Sequence, residues 1–183
     1  MKLLGIVILY YPDDTVVKNI ATYLAQLDGL MLWDNTPVAD CRELDLDSLG
    51  DGRGKIIQDG CGENLGIGSA LNKAVTYARA NGFTHLLTLD QDSCIGGRNF
   101  ESYLRAIRNY GEDKAAIFST YYFIKSQQTT MYPPTDSVDE VYSAMTSGSI
   151  YPVSLFDTLG DFMDSLFVWG VDCEFCWRAI RKD

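Results

Sequence analysis

The chain has 183 residues, with 25 acidic and 15 basic side chains, a net charge of −10, 46% hydrophobic and 22% charged residues. That is the balance of one globular domain with room for a real core. So acidic a surface argues against nucleic-acid binding, and an anionic substrate would need a cation or local Lys/Arg to offset the field.

Leu3 to Tyr10 is a continuous apolar run, as expected of a parallel strand covered on both faces. The single Lys2 ahead of it and the Tyr10-Tyr-Pro-Asp-Asp14 at its end do not fit a signal peptide. No stretch approaches the roughly 18 apolar residues that span a bilayer. A cytoplasmic protein is expected, with peripheral contact at the inner face of the membrane left open. Five cysteines, an odd number, read as reduced thiols. Cys173-Glu-Phe-Cys176 lacks the second pair of a zinc site and reads as helix packing.

After turn residues Pro12 to Thr15, apolar positions Val16, Val17, Ile20, Leu24 and Leu27 recur at helical spacing, and Gly29 stops that helix. Leu30 to Trp33 reads as a second strand running into Asp34-Asn-Thr-Pro37. This opens a β-α-β unit. From Val38 to Gly54 the pattern is weak, with a short element at Leu44 to Leu49. Lys55 to Gln58 is a third strand. The Gly-rich stretch Asp59 to Gly68 meets neither the dinucleotide fingerprint nor the Walker pattern. Ser69 to Ala80 predicts a helix with Ala70, Leu71, Ala74, Val75 and Ala78 inward, stopped by Asn81-Gly82.

Leu86 to Leu89 is a short buried strand that ends in Asp90-Gln-Asp92. Ligands of open α/β sheets bind beyond the carboxyl ends of the strands. If the backbone stays extended, residues two apart point the same way. Asp90 and Asp92 would then offer two hard oxygen ligands suited to magnesium, manganese or calcium. The plainer alternative makes both of them turn and cap residues. Asn99 to Tyr110 predicts a helix with Tyr103, Leu104 and Ile107 inward, and Ala115 to Thr120 a strand. Tyr121 to Asp136 reads as an irregular excursion, and Val138 to Ala144 as an edge strand. Thr146 to Pro152 reads as a turn before a short helix at Ser154 to Leu159, and Gly160 to Gly170 as an apolar loop. Val171 to Arg181 closes the chain as a helix.

Four blocks in this order resemble the family 2 glycosyltransferases of the GT-A fold, most closely the bacterial rhamnosyltransferase-like members. They are Leu32-Trp-Asp-Asn-Thr36, Glu63 to Ala74, Leu87 to Ser93, and Thr146-Ser-Gly-Ser149 with Phe167 to Arg178. Singly none is specific; jointly they span nearly the whole chain. The resemblance implies an α/β GT-A domain over 1–183, with a mostly parallel mixed sheet and helices on both faces. Residues 1–93 would form the nucleotide-binding half and 94–183 the acceptor and catalytic half. Family members continue well beyond Arg178, so the acceptor half is expected to be short at its C-terminus.

The resemblance also implies roles. Asp34 would accept a hydrogen bond from the donor's pyrimidine. Asn64 and Asn72 would line the donor pocket, although Asn64 could equally cap the helix behind it. Lys73 faces either phosphate or water. Asp90 and Asp92 would hold manganese or magnesium together with the donor. Asp172 would be the general base that takes the acceptor hydroxyl's proton in one inverting displacement. Arg178 would either reach the donor phosphates or pair with Glu174, four residues back on its helix. The implied reaction moves a sugar such as rhamnose from a dTDP- or UDP-sugar to a glycan or lipid-linked acceptor of bacterial surface polysaccharide. Two other functions compete: a non-catalytic donor-binding or interaction domain, and a sugar-phosphate nucleotidyltransferase. The second needs a Gly-rich basic loop after the first strand, where Tyr10 to Asp14 stands instead.

Overall fold

Leu3–Leu9 (β1) is the middle strand of a five-stranded sheet. The computed structural model describes residues 1–111, 116–120, 123–124, 129–130 and 138–181, the two short pairs by backbone only. The continuous apolar run of β1 divides by strand alternation between two cores. Leu3, Val7 and Leu9 enter one, Leu4 and Ile6 the other. Gly29–Asp34 (β2), Ile56–Gly60 (β3) and His85–Asp90 (β4) pair in parallel around it, in the order β3-β2-β1-β4. Phe123–Ile124 (β5) and Thr129–Thr130 (β6) form a separate small antiparallel pair. The rest of the excursion expected at 121–136 lies outside the described residues.

Helices cover both faces. Thr15–Ala21 (α1) and Gly97–Tyr110 (α3) pack on one, through Val16, Ile20, Phe100, Leu104 and Ile107. Gly66–Ala80 (α2), Leu155–Leu159 (α4) and Val171–Ile180 (α5) pack on the other. The inward face of α2 is the Ala70, Leu71, Ala74, Val75, Ala78 stripe that its spacing predicts. The first helix is shorter than its periodicity implies. Tyr23 leaves helical geometry at φ −132°, and Leu24–Gln26 continue as a 3-10 turn that still buries Leu24. The weak segment before β3 is likewise a 3-10 stretch, Leu46–Lys55, broken at Gly50.

The second half differs most from expectation. The edge strand is Ser149–Pro152 (β7), antiparallel to β4, in place of Val138 to Ala144. Its four residues are buried, with Ile150 facing one core and Tyr151 the other. Segment 138–144 has no strand pairing, and Val138, Val141 and Tyr142 are exposed. Val138, Val141 and Tyr142 do not all share one face of an extended chain, so the segment offers a strand no single apolar side to bury. The strand expected at Ala115 to Thr120 is reduced, within its described part, to one bridge between Phe118 and Ile150.

Beneath α4 and α5 lies an aromatic cluster. Phe156 packs its ring 5.2 Å from Phe162, 5.1 Å from Phe175 and 6.1 Å from Tyr151, centroid to centroid. Phe156→Ala is expected to cost about 3–5 kcal/mol of stability, read as a lower urea midpoint at unchanged slope.

Candidate functional site

Three parallel strands end at one rim. In register, Leu9 of β1 lies beside Asp34 of β2, and Ile8 beside Asp90 of β4. Asp34 and Asp90 therefore flank the end of β1 at two strand spacings, about 10 Å. The chain runs from β1 outward through β2 to β3 and then crosses back through α2 to place β4 on the other side of β1, which makes this end of the sheet a topological switch point.

Two adjacent residues bring a third acid to it. The Ser147 hydroxyl accepts the Asp90 backbone N–H at 3.0 Å, and the Thr146 N–H donates to Asp172 Oδ2 at 3.3 Å. Thr146–Ser147 is itself fastened to β4. The buried Thr88 hydroxyl donates to the Thr146 carbonyl, and Gly148 N–H donates to the Thr88 carbonyl at 2.7 Å. Asp172 sits in the first turn of α5, where its Oδ1 also accepts the Cys173 N–H at 2.8 Å.

Asp92 is placed otherwise than an extended Asp-X-Asp would place it. β4 ends at Asp90, and Ser93 N–H returns to the Asp90 carbonyl at 3.1 Å, so Asp92 lies in a turn. The alternation argument fails there, but the charges still meet. Burial pushes the Asp90 carboxyl above its ordinary range, and the charges of Asp92 and Asp172 raise it further. The residue keeps an open face to solvent, and the protein around it removes part of the water from its carboxylate. Among the described residues, neither Asp90 nor Asp92 has a side-chain hydrogen-bond or ion-pair partner.

The other anticipated residues are largely engaged by the protein itself. Asp34 Oδ1 accepts the Thr36 N–H at 2.8 Å, shaping the turn after β2. Asn64 Oδ1 accepts the Gly66 N–H at 2.9 Å, so it helps shape the entry to α2. Asn72 grips both backbone polar groups of Phe162: its Nδ2 donates to the carbonyl and its Oδ1 accepts the N–H, each at 2.9 Å. Lys73 is exposed. Arg178 is an ion pair with Glu174 at 2.6 Å and donates to the carbonyls of Leu159 and Asp161 at 2.5 and 2.9 Å. Of its two anticipated roles, the described contacts serve pairing with Glu174.

The sequence reading gave no separate role to Asn35, Ser147, Gln91 or the tyrosine pair after β1. Buried Asn35 accepts from the Trp33 indole at 3.0 Å and donates to the Gly66 carbonyl at 3.2 Å, joining β2 to α2. Gln91 Oε1 and Nε2 bond the Tyr10 N–H and carbonyl at 2.9 and 3.2 Å, joining the ends of β1 and β4. Tyr11 stands exposed at φ +48°, its N–H on the Thr36 hydroxyl and its own hydroxyl donating to Asp40. Polar residues flanking each strand's last apolar position were the available signal.

Among the described residues, no group of three or more His, Cys, Asp or Glu side chains is placed to hold a metal ion. Magnesium does not require one. It is commonly held by one or two carboxylates, with substrate phosphates and water completing the shell. Partnerless Asp90 and Asp92, charged against each other, fit that arrangement.

No family model and no curated protein sequence matches the chain. Its likeness lies in solved structures of S. aureus TarS. One TarS structure aligns at TM-score 0.67 and 16% identity over 98% of this chain and 33% of that one. TarS 1-349 in complex with UDP gives 0.68 and 16%, over 98% and 55%. The same fragment in complex with UDP-GlcNAc gives 0.66 and 15%, over 98% and 53%. The chain thus spans between a third and about half of these structures. The shared fold is that of a GT-A domain, with its mostly parallel mixed sheet.

Because Asp90 holds its proton more tightly when folded, its charge opposes folding once ionised. Asp90→Asn is expected to raise the melting temperature of the ligand-free protein near neutral pH. That gain should shrink as the pH falls through the raised Asp90 pKa, because the wild-type carboxyl then neutralises itself. Melting curves of both proteins across pH check the sign.

Proposed function

We propose that this chain is the nucleotide-sugar-binding and catalytic domain of an inverting glycosyltransferase. One observation carries the reading: the Thr146–Ser147 pair ties Asp90 and Asp172 to one place, at the switch point of a sheet whose fold TarS shares. The TarS structures hold UDP and UDP-GlcNAc, which favours a pyrimidine nucleoside-diphosphate sugar as donor here. The base would lie on the Asp34 side, near exposed Tyr10 and Tyr11. The diphosphate would lie toward Asp90 and Asp92.

In the displacement, the acceptor oxygen forms a bond to the anomeric carbon as that carbon's bond to the diphosphate oxygen breaks. The acceptor proton passes to Asp172, and the nucleoside diphosphate leaves with the bonding pair. Two backbone N–H groups fix the Asp172 carboxylate for this task. Manganese or magnesium held by Asp90 and Asp92 would offset the charge of the departing diphosphate. On a protein of net charge −10, that offset matters for binding as well as departure. Asn72 and Arg178 act at one remove, by holding the loop from Leu159 to Phe162 in front of α5.

The rhamnosyltransferase-like sequence blocks make a dTDP-sugar such as dTDP-rhamnose the other donor to weigh against a UDP-sugar. The acceptor is a glycan or lipid-linked saccharide of a bacterial surface polysaccharide. Such an acceptor places the enzyme at the inner face of the membrane. No helix among the described residues is long and apolar enough to cross one.

Calorimetric titration with UDP, dTDP and GDP, with manganese and again with chelator, tests the donor site. One pyrimidine nucleotide should bind, and binding should weaken on chelation and in Asp92→Ala. Absence of nucleotide binding under every condition would overturn the proposal. Asp172→Asn should keep nucleotide affinity within about twofold and lower kcat by a factor of about 10²–10⁴, the usual contribution of a general base. Unchanged transfer in that variant would remove Asp172 from the mechanism. Normal nucleotide binding with no transfer from any donor would favour a binding module.

A further inference from the structure

The loop before α5 carries exposed apolar side chains on a firmly held backbone. Met163, Phe167 and Val168 are each exposed by more than two-fifths, and Trp169 by 88%. A tryptophan so little covered normally finds something to cover it. The loop leading to it is fastened at several points. Asn72 holds Phe162, and the Ile67 N–H donates to the Phe167 carbonyl at 2.6 Å. Beyond it, Gly170 accepts the Glu174 N–H at 2.8 Å, and Val171 is buried. Phe167 sits at φ +58°, a conformation that a bulky residue keeps only where its surroundings impose it. Ordered backbone thus presents the indole three residues before Asp172.

Charge narrows the choice of partner. The described acids nearest in sequence are Asp164, Asp172 and Glu174; the nearest described cation, Arg178, is turned onto Glu174 and loop carbonyls, and Arg181 beyond it lies over the Trp177 ring. An anionic headgroup would meet carboxylates there. A neutral saccharide suits both features. The C–H face of a sugar ring is weakly positive and packs on the negative face of an indole, while its hydroxyls can donate to carboxylates. Resting on the reading of Asp172 as the base, we propose that Trp169 is the platform on which a neutral sugar ring of the acceptor stacks. Phe167 and Val168 extend that surface. The ring that presents the attacking hydroxyl, or its immediate neighbour, lies on the indole.

The test is calorimetric titration of the chain, saturated with UDP and manganese, with cellotriose, maltotriose and chitotriose. At least one should bind, Trp169→Ala should weaken it about tenfold, and Trp169→Phe should recover most of the loss. UDP affinity should be equal in all three proteins, since Trp169 lies outside the donor site. Binding of none of the three saccharides, or equal binding by the alanine variant, overturns the proposal. So does a Trp169-dependent association with phosphatidylglycerol vesicles unaccompanied by saccharide binding. If UDP itself fails to bind, the donor reading falls separately. Trp169-dependent saccharide binding without nucleotide would then still support the platform.

Discussion

A single peptide, Thr146–Ser147, sets the position of two carboxylates that repel each other. Its serine hydroxyl takes the N–H of Asp90, and its threonine N–H takes the side chain of Asp172. Without that bridge the sheet would still deliver Asp34 and Asp90 to one rim, because both belong to strands paired with β1. Asp172 has no such guarantee. It begins a helix that packs on one core through Val171 and Phe175, and apolar packing alone does not aim a carboxylate.

The opposing repulsion is as informative as the bridge. Asp90 is crowded by protein and faced by two acids, and no described side chain neutralises it. Stability alone would select against such an arrangement, and sites that break a local rule are commonly where function lies. A cation and a diphosphate would together turn the arrangement from a strain into a fit. The same economy appears around α2, where Phe167 is close enough that a Cβ on Gly66 would lie 2.6 Å from its carbonyl oxygen. The Gly-rich entry serves that close packing, and its Ile67 N–H is already used.

The first ninety residues were legible because their signals are local. Apolar runs ending in Asp34 and Asp90, and the Ala70 to Ala78 stripe, each state an element and its buried face. The Glu174–Arg178 pair was legible for the same reason, one helical turn apart. What stayed hidden depends on distant partners. Ser149–Pro152 contains a proline and looks like a turn until β4 is beside it, whereas Val138 to Ala144 is rich in strand-forming residues but scatters them over both faces and leaves them exposed. Nothing in sequence announces Phe162, 90 positions later, as the partner of Asn72. Asp92 was misplaced by one assumption, that the strand runs past Asp90.

The pairing of β7 with β4 joins residues 61 positions apart, as in the Thr88–Ser149 contact. Closing a loop of that length costs about 1 kcal/mol more conformational entropy than closing a crossover of roughly twenty residues. The β1–β4 pairing reaches further still, from Leu3 to His85, so β4 is held on both sides by distant partners, and Thr146 hangs from it. Asp34 lies on β2, which pairs with both its neighbours across short connections, Leu4 with Gly29 and Leu30 with Ile56. The Asp34 side of the rim is therefore secured locally, while Asp90 and Asp172 both depend on β4 finding partners far along the chain.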